Sequence, residues 1–354
     1  MAIYTKVSGV WKEVVQPSVK VSGAWKNCSE VHVKVSGVWK KVWEAIAYIA
    51  VGHDGSPRFT LLKRSGDSVS LASTYTLPGI GYGCSFSPDG TYIAVGHSSS
   101  PCFTLLKRSG DSVSLASTYT LPGIGYGCSF SPDGTYIAVG HSSSPCFTLL
   151  KRSGDSVSLA STYTLPSTGY GCPFSPDGTY IAVGHSGSPC FTLLKRSGDS
   201  VSLASTYTLP STGYGCPFSP DGTYIAVGHS GSPCFTLLKR SGDSVSLAST
   251  YTLPDTGRSC SFSPDGTYIA VAHSGSPCFT LLKRSGDSVS LASTYTLPSI
   301  GRSCSFSPDG TYIAAGHDGS PYFTLLKRSG DSVSLASTHT LPSIGRSCSF
   351  WESS

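Results

Sequence analysis

The chain has 354 residues, 13% of them charged, with 40 Gly, 23 Pro and a formal net charge of +5. The weak charge excess forms no basic stripe with aromatic platforms, which argues against nucleic-acid binding, and no apolar run approaches the roughly 20 residues that span a bilayer. Ser, Thr, Tyr, Val and Gly dominate, so short strands joined by tight turns are expected, without membrane insertion.

Residues 1–44 read as one unit. The strings VSGVWK, VSGAWK and VSGVWK begin at Val7, Val21 and Val35, 14 residues apart. They set Trp11, Trp25 and Trp39 in register behind Lys6, Lys20 and Lys34. Each unit reads as a hairpin with Ser-Gly at its turn. The segment carries seven Lys against three Glu, a net of +4, so most of the chain's charge excess lies here. Three such hairpins are too small to bury a core by themselves. The expectation is an anchoring or oligomerising β-rich module that packs on itself, on the rest of the chain or on other copies, with the three Trp as contacts. Its start, MAIYTKVSGVWKE, lacks the apolar core and cleavage site of a secretory signal, so synthesis in a cytoplasm is expected.

Residues 45–354 are filled by a 44-residue unit. YIAVGH begins at Tyr48 and returns at Tyr92, Tyr136, Tyr180, Tyr224, Tyr268 (as YIAVAH) and Tyr312 (as YIAAGH), without insertion or deletion. Such a period, built from short β-type segments, marks a propeller or an array. Within one unit, GCSFSPDG predicts a short strand ended by a turn, with Cys84 and Phe86 on one face. TYIAVGH predicts a second strand buried on both faces. CFTLLKR predicts a third, closed by an RSGDS turn in which Gly110 takes a positive φ. SVSLASTYTLP predicts a half-exposed outer strand with Val113, Leu115, Tyr119 and Leu121 in phase.

Four antiparallel strands taken seven times resemble a seven-bladed β-propeller, and FSPDGTYIAVG resembles the inner hairpin of WD-repeat blades. The Trp-Asp dipeptide of that family is absent from the third strand, and its Gly-His does not precede the first. The family's hydrogen-bonded tetrad therefore has no counterpart here, and the resemblance implies a fold rather than a function. The first copy begins at its second strand and the chain finishes on a first strand, Arg346 to Phe350. Together these fragments complete one blade, which predicts a closed ring without exposed inner edges.

The SPDG and KRSGDS turns do not change wherever they are present, whereas two loops do. One is the loop between second and third strands (DGSPR at 54–58, SSSPC at 98–102). The other is the connector between blades (GIGYG at 79–83, DTGRS at 255–259). In an up-and-down blade both emerge on one face. That face is the expected binding surface, with Tyr82, Tyr126, Tyr170, Tyr214, Arg258, Arg302 and Arg346, residue types that interfaces favour. The histidines ending the second strands, His53, His97, His141, His185, His229, His273 and His317, are grouped with it. They are read either as structural or as a pH-sensitive or ligand-contacting ring.

Thirteen Cys fall into two 44-residue series plus Cys28. No CxxC or Cys/His ligand spacing appears, so they read as small buried hydrophobes, and no metal or cofactor is expected. Each blade offers the same Asp, Ser and His, with the SPDG Asp opposite the His face, so no catalytic triad is expected.

The VKVSGVWK pattern resembles short repeats in bacteriophage tail and fibre proteins. That resemblance implies a non-enzymatic virion structural or host-attachment protein, made in the host cytoplasm. Its partners would be other virion proteins or a host surface, protein or glycan, and it would be a homo-oligomer through residues 1–44. The alternatives are an intracellular scaffold for protein–protein interaction and a multivalent glycan-binding propeller.

Overall fold

Ile, Ala and Val follow one another in six of the seven copies (Ile, Ala and Ala at 313–315), and a strand that is apolar on both faces needs cover on both. In the structure, a computed structural model, each copy is such a strand: every residue of Tyr92–His97 is buried. Residues 46–353 are described with their side chains, and within 1–45 only the backbone of six short strands is described. Those six pair as three antiparallel hairpins, Tyr4–Val7 with Val10–Glu13, Ser18–Val21 with Ala24–Asn27, and Glu30–Val35 with Val38–Glu44. The expected contacts of Trp11, Trp25 and Trp39 lie outside the described residues.

A representative blade runs from its inner strand outward as Gly81–Phe86, Tyr92–His97, Cys102–Ser109 and Ser112–Thr120, each antiparallel to the last. The outer hairpin turns on Gly110, at φ +57°, where a glycine meets no steric penalty. Seven such sheets make the ring, an all-β seven-bladed β-propeller. The last strand, Gly345–Glu352, pairs antiparallel with Ala47–His53 from the start of the ring and becomes that blade's inner strand. The hydrophobic core lies between blades. Tyr136, Phe147 and Leu149 of one blade pack with Phe174, Ile181 and Leu194 of the next.

Two features depart from simple repetition. Where Pro173 and Pro217 replace the Ser of the inner strand, the missing N–H breaks the ladder. Pairing there shrinks to bridges at Gly169–His185 and Phe174–Ile181, and at Gly213–His229 and Phe218–Ile225. The second departure corrects the phase expected of the outer strand. A bulge between Leu105 and Leu106 sets Leu105 against Ser117 but Leu106 against Leu115. Leu115 is turned outward and is 52% exposed, while Leu121 stays buried.

The turns that never vary join neighbouring blades. Lys107 Nζ reaches both carboxylate oxygens of Asp155, in the next blade, at 2.9 and 3.0 Å. The Tyr92 hydroxyl donates to the same carboxylate at 2.5 Å. Arg152 lies 4.5 Å over the Tyr92 ring. The Lys of each Lys-Arg pair is thus balanced across the blade boundary, while the Arg also donates within its own turn, Arg152 Nη1 to the Gly154 carbonyl at 3.0 Å. The clamp continues through the closure, where Lys327 of the last repeat holds Asp67 of the first.

Candidate functional site

The residue two places before each inner-strand Cys faces the central axis, so the seven blades deliver seven side chains to one mouth. Four are phenols and three are guanidiniums. Tyr82, Tyr126, Tyr170 and Tyr214 form an arc of tilted rings with centroids 5.0, 5.1 and 5.0 Å apart. Arg258 continues the arc 5.2 Å from the Tyr214 ring, and Arg346 closes it 5.6 Å from the Tyr82 ring, with Arg302 between them in blade order. These side chains line a cavity of about 280 Å³ with Cys84, Cys128, Cys348, Ser259, Ser303 and Ser347 among its walls. All seven aromatic and cationic residues are half-buried.

Close approach of the inner strands makes the arc possible. A Cβ on Gly127 would lie 1.9 Å from the Tyr170 carbonyl oxygen, so the Tyr blades need glycine beside the phenol. The Arg blades carry Ser at the corresponding position. There the Ser259 hydroxyl accepts the Cys304 N–H at 3.2 Å.

Two of the three guanidiniums are neutralised from the neighbouring loop. Arg302 donates from Nε and Nη2 to Asp318 at 2.6 and 2.5 Å. Arg346 donates to Asp54 at 2.6 and 2.7 Å, joining residues 292 apart in the chain. Both pairs are largely shielded from solvent. The reading of the face from sequence omits Asp54 and Asp318. A signal for them exists: among the seven copies, Asp replaces Ser at this loop position only at 54 and 318, the partners of Arg346 and Arg302.

The seven histidines grouped with this face lie beneath it. All are fully buried. His97 Nε2 meets the Thr104 hydroxyl at 3.0 Å, and His53 meets Thr60 at 2.9 Å. Burial pushes His53, His97, His141, His185 and His273 down to about 4. A ligand at the mouth does not meet them. The inner-strand thiols are also poor reactants: burial raises Cys84 to about 11 and Cys172 and Cys304 to about 12. Burial likewise raises Tyr126 and Tyr170. The twelve described cysteines are all free. Among the described residues, no group of three or more His, Cys, Asp or Glu is placed to hold a metal ion.

The family model "WD domain, G-beta repeat" matches residues 293–322. No curated protein matches the chain. Among solved structures, the periplasmic gluconolactonase of Pseudomonas aeruginosa is 14% identical with a TM-score of 0.74, over 87% of this chain and 99% of that one. A Bacteroides uniformis protein described as a candidate 6-phosphogluconolactonase is 15% identical with a TM-score of 0.74 and the same two coverages. The β-propeller domain of Myceliophteria thermophila Cps50 (Swd1) is 10% identical with a TM-score of 0.60, over 81% and 99%. At these identities the likeness establishes the fold, a WD-repeat-like seven-bladed propeller.

The comparisons correct the expectation of a non-enzymatic virion structural or host-attachment protein, along with its scaffold and glycan-binding alternatives. The two neighbours above that cover 87% of this chain are named as lactonases, and none of those reported above is named as a virion protein. The reasoning behind the expectation also fails at a definite place. Identical blades offer no converging set of different groups, but the blades are not identical at the axis, where phenols give way to guanidiniums.

Proposed function

We propose that this chain is a hydrolase of sugar-acid lactones, acting at the Tyr–Arg mouth of the central channel. The observation that carries the reading is the convergence of four phenol rings and three guanidiniums on one cavity of about 280 Å³. That volume lies near the lower end of small-molecule sites, which run from roughly 300 to 1,000 Å³. The names of the similar propellers support the same substrate class.

The residues divide the work by chemistry. The faces of the Tyr arc suit the C–H face of a sugar ring. The guanidiniums supply fixed donors to an oxygen gaining negative charge. In lactone opening, water adds to the ester carbonyl and the bond from the carbonyl carbon to the ring oxygen breaks. The ring oxygen takes a proton, and the product is a hydroxy acid whose carboxylate carries the released charge. A cationic arc favours both the tetrahedral oxyanion and that product. The buried thiols take no part as nucleophiles.

The test is proton release from glucono-δ-lactone and 6-phosphogluconolactone, followed in a pH-stat at pH 6.5 against the spontaneous rate. The expected result is acceleration by the intact chain, with a drop of roughly 100-fold or more on Arg302→Ala and a smaller one on Tyr170→Ala. A rate equal to the uncatalysed one with both lactones overturns the assignment.

A further inference from the structure

The three guanidiniums at the mouth are not equivalent. Arg302 and Arg346 each face a carboxylate from the loop sixteen positions on in the repeat register, Asp318 and Asp54. At the matching position beside Arg258 stands Ser274, whose hydroxyl accepts from Arg258 Nε at 3.1 Å. The nearby Asp255 sits on the exposed connector and is taken up by the Thr256 N–H and hydroxyl, at 2.5 and 3.1 Å. Among the described residues no ion pair reaches Arg258. The half-buried arc therefore holds three guanidiniums and two salt-bridged carboxylates. Arg258 has no salt bridge and feels only the exposed Asp255, whose carboxyl the Thr256 bonds and then the charge of Arg258 lower.

We infer that Arg258 is the subsite for an oxyanion group, phosphate or carboxylate, of the molecule bound at the mouth. The inference rests on the proposed function for the rest of that molecule and adds that the substrate is an anion. A guanidinium offers paired donors to either oxyanion. Its remaining N–H groups are not committed to a carboxylate of the protein. The Tyr214 ring 5.2 Å away holds the guanidinium plane without quenching its charge. The two neutralised arginines, by contrast, contribute donors without adding net charge.

The test uses a substitution that the protein already makes elsewhere. Ser274→Asp should build beside Arg258 the pair that Arg302 and Arg346 have, leaving the fold and melting temperature intact while giving Arg258 a salt bridge. Calorimetric binding of glucose 6-phosphate, which carries only a phosphate, and of gluconate, which carries only a carboxylate, tells the two oxyanions apart. At low salt the intact chain should bind at least one of them. Ser274→Asp and Arg258→Gln should each weaken it by roughly ten-fold or more. Asp318→Ser, which frees Arg302, should strengthen it. Failure of the intact chain to bind either probe, or binding unchanged in Ser274→Asp, overturns the inference. Binding is read without turnover, so a chain that holds the anion through Arg258 but opens no lactone keeps this inference and loses the hydrolase reading. Opening of 6-phosphogluconolactone undiminished in Ser274→Asp does the reverse.

Discussion

Cys348 stands directly opposite Val51 in an antiparallel ladder that runs from Gly345 against His53 to Glu352 against Ala47. Beside it, Glu352 accepts from Arg64 Nη2 at 3.1 Å, with both side chains under 10% exposed. The ring is thus shut by backbone pairing and by a buried ion pair at its outer end.

Removing residues 345–354 strips the closing blade of its inner strand and exposes two sheet edges. The expected outcome is loss of the cooperative thermal transition in calorimetry. Glu352→Ala is milder and leaves Arg64 buried without its carboxylate, a cost of about 3 kcal/mol. Chemical denaturation reads this as a lower midpoint with an unchanged slope.

The buried histidines make stability depend on pH. Burial holds His97 and His141 near 4, well below the ordinary histidine value, so between about 6.5 and 4 the unfolded chain binds protons that the folded chain refuses. Stability is therefore complete above pH 6.5 and falls as the pH drops toward 4, by at most about 1.4 kcal/mol per pH unit for each histidine. Melting temperature followed from pH 7.5 to 4.5 should show this slope. His141→Asn should reduce the slope by one proton's share.

Gly127→Ala places a methyl against the Tyr170 carbonyl oxygen, a contact of 1.9 Å before any relaxation. Overpacking at this channel wall should cost roughly 1–3 kcal/mol and disturb the Tyr126–Tyr170 contact. Ser303→Ala, in an Arg blade that already carries a Cβ there, should be much milder. Urea midpoints of the two variants make the comparison.

Leu159 and Phe147 are both large apolar residues of one blade, but Leu159 is 52% exposed and Phe147 fully buried. Phe147→Ala should cost about 3–5 kcal/mol. Leu159→Ser should stay within about 0.5 kcal/mol, and it should lower self-association at high concentration in light scattering.

Much of this architecture is legible in one dimension. The 44-residue spacing of YIAVGH, the uninterrupted apolar second strand and the split blade at the two ends state a closed seven-bladed ring, because each is a local pattern repeated without error. The bulge at Leu105–Leu106 and the ladder breaks were harder to read. The bulge depends on the register of a neighbouring strand. The breaks require knowing that Pro173 and Pro217 sit where a backbone donor is needed.

For the candidate site, sequence variation alone singled out the Tyr and Arg positions that line the mouth. It placed the histidines on the same face because strand order says where a residue lies along a blade, not how deep its side chain is packed. Only the tertiary structure put Asp54 against Arg346, 292 residues away, and Ser274 against Arg258. The repeat fixes what each blade contains. The charge left without a salt bridge at the axis is decided by which loop meets which inner strand once the ring has closed.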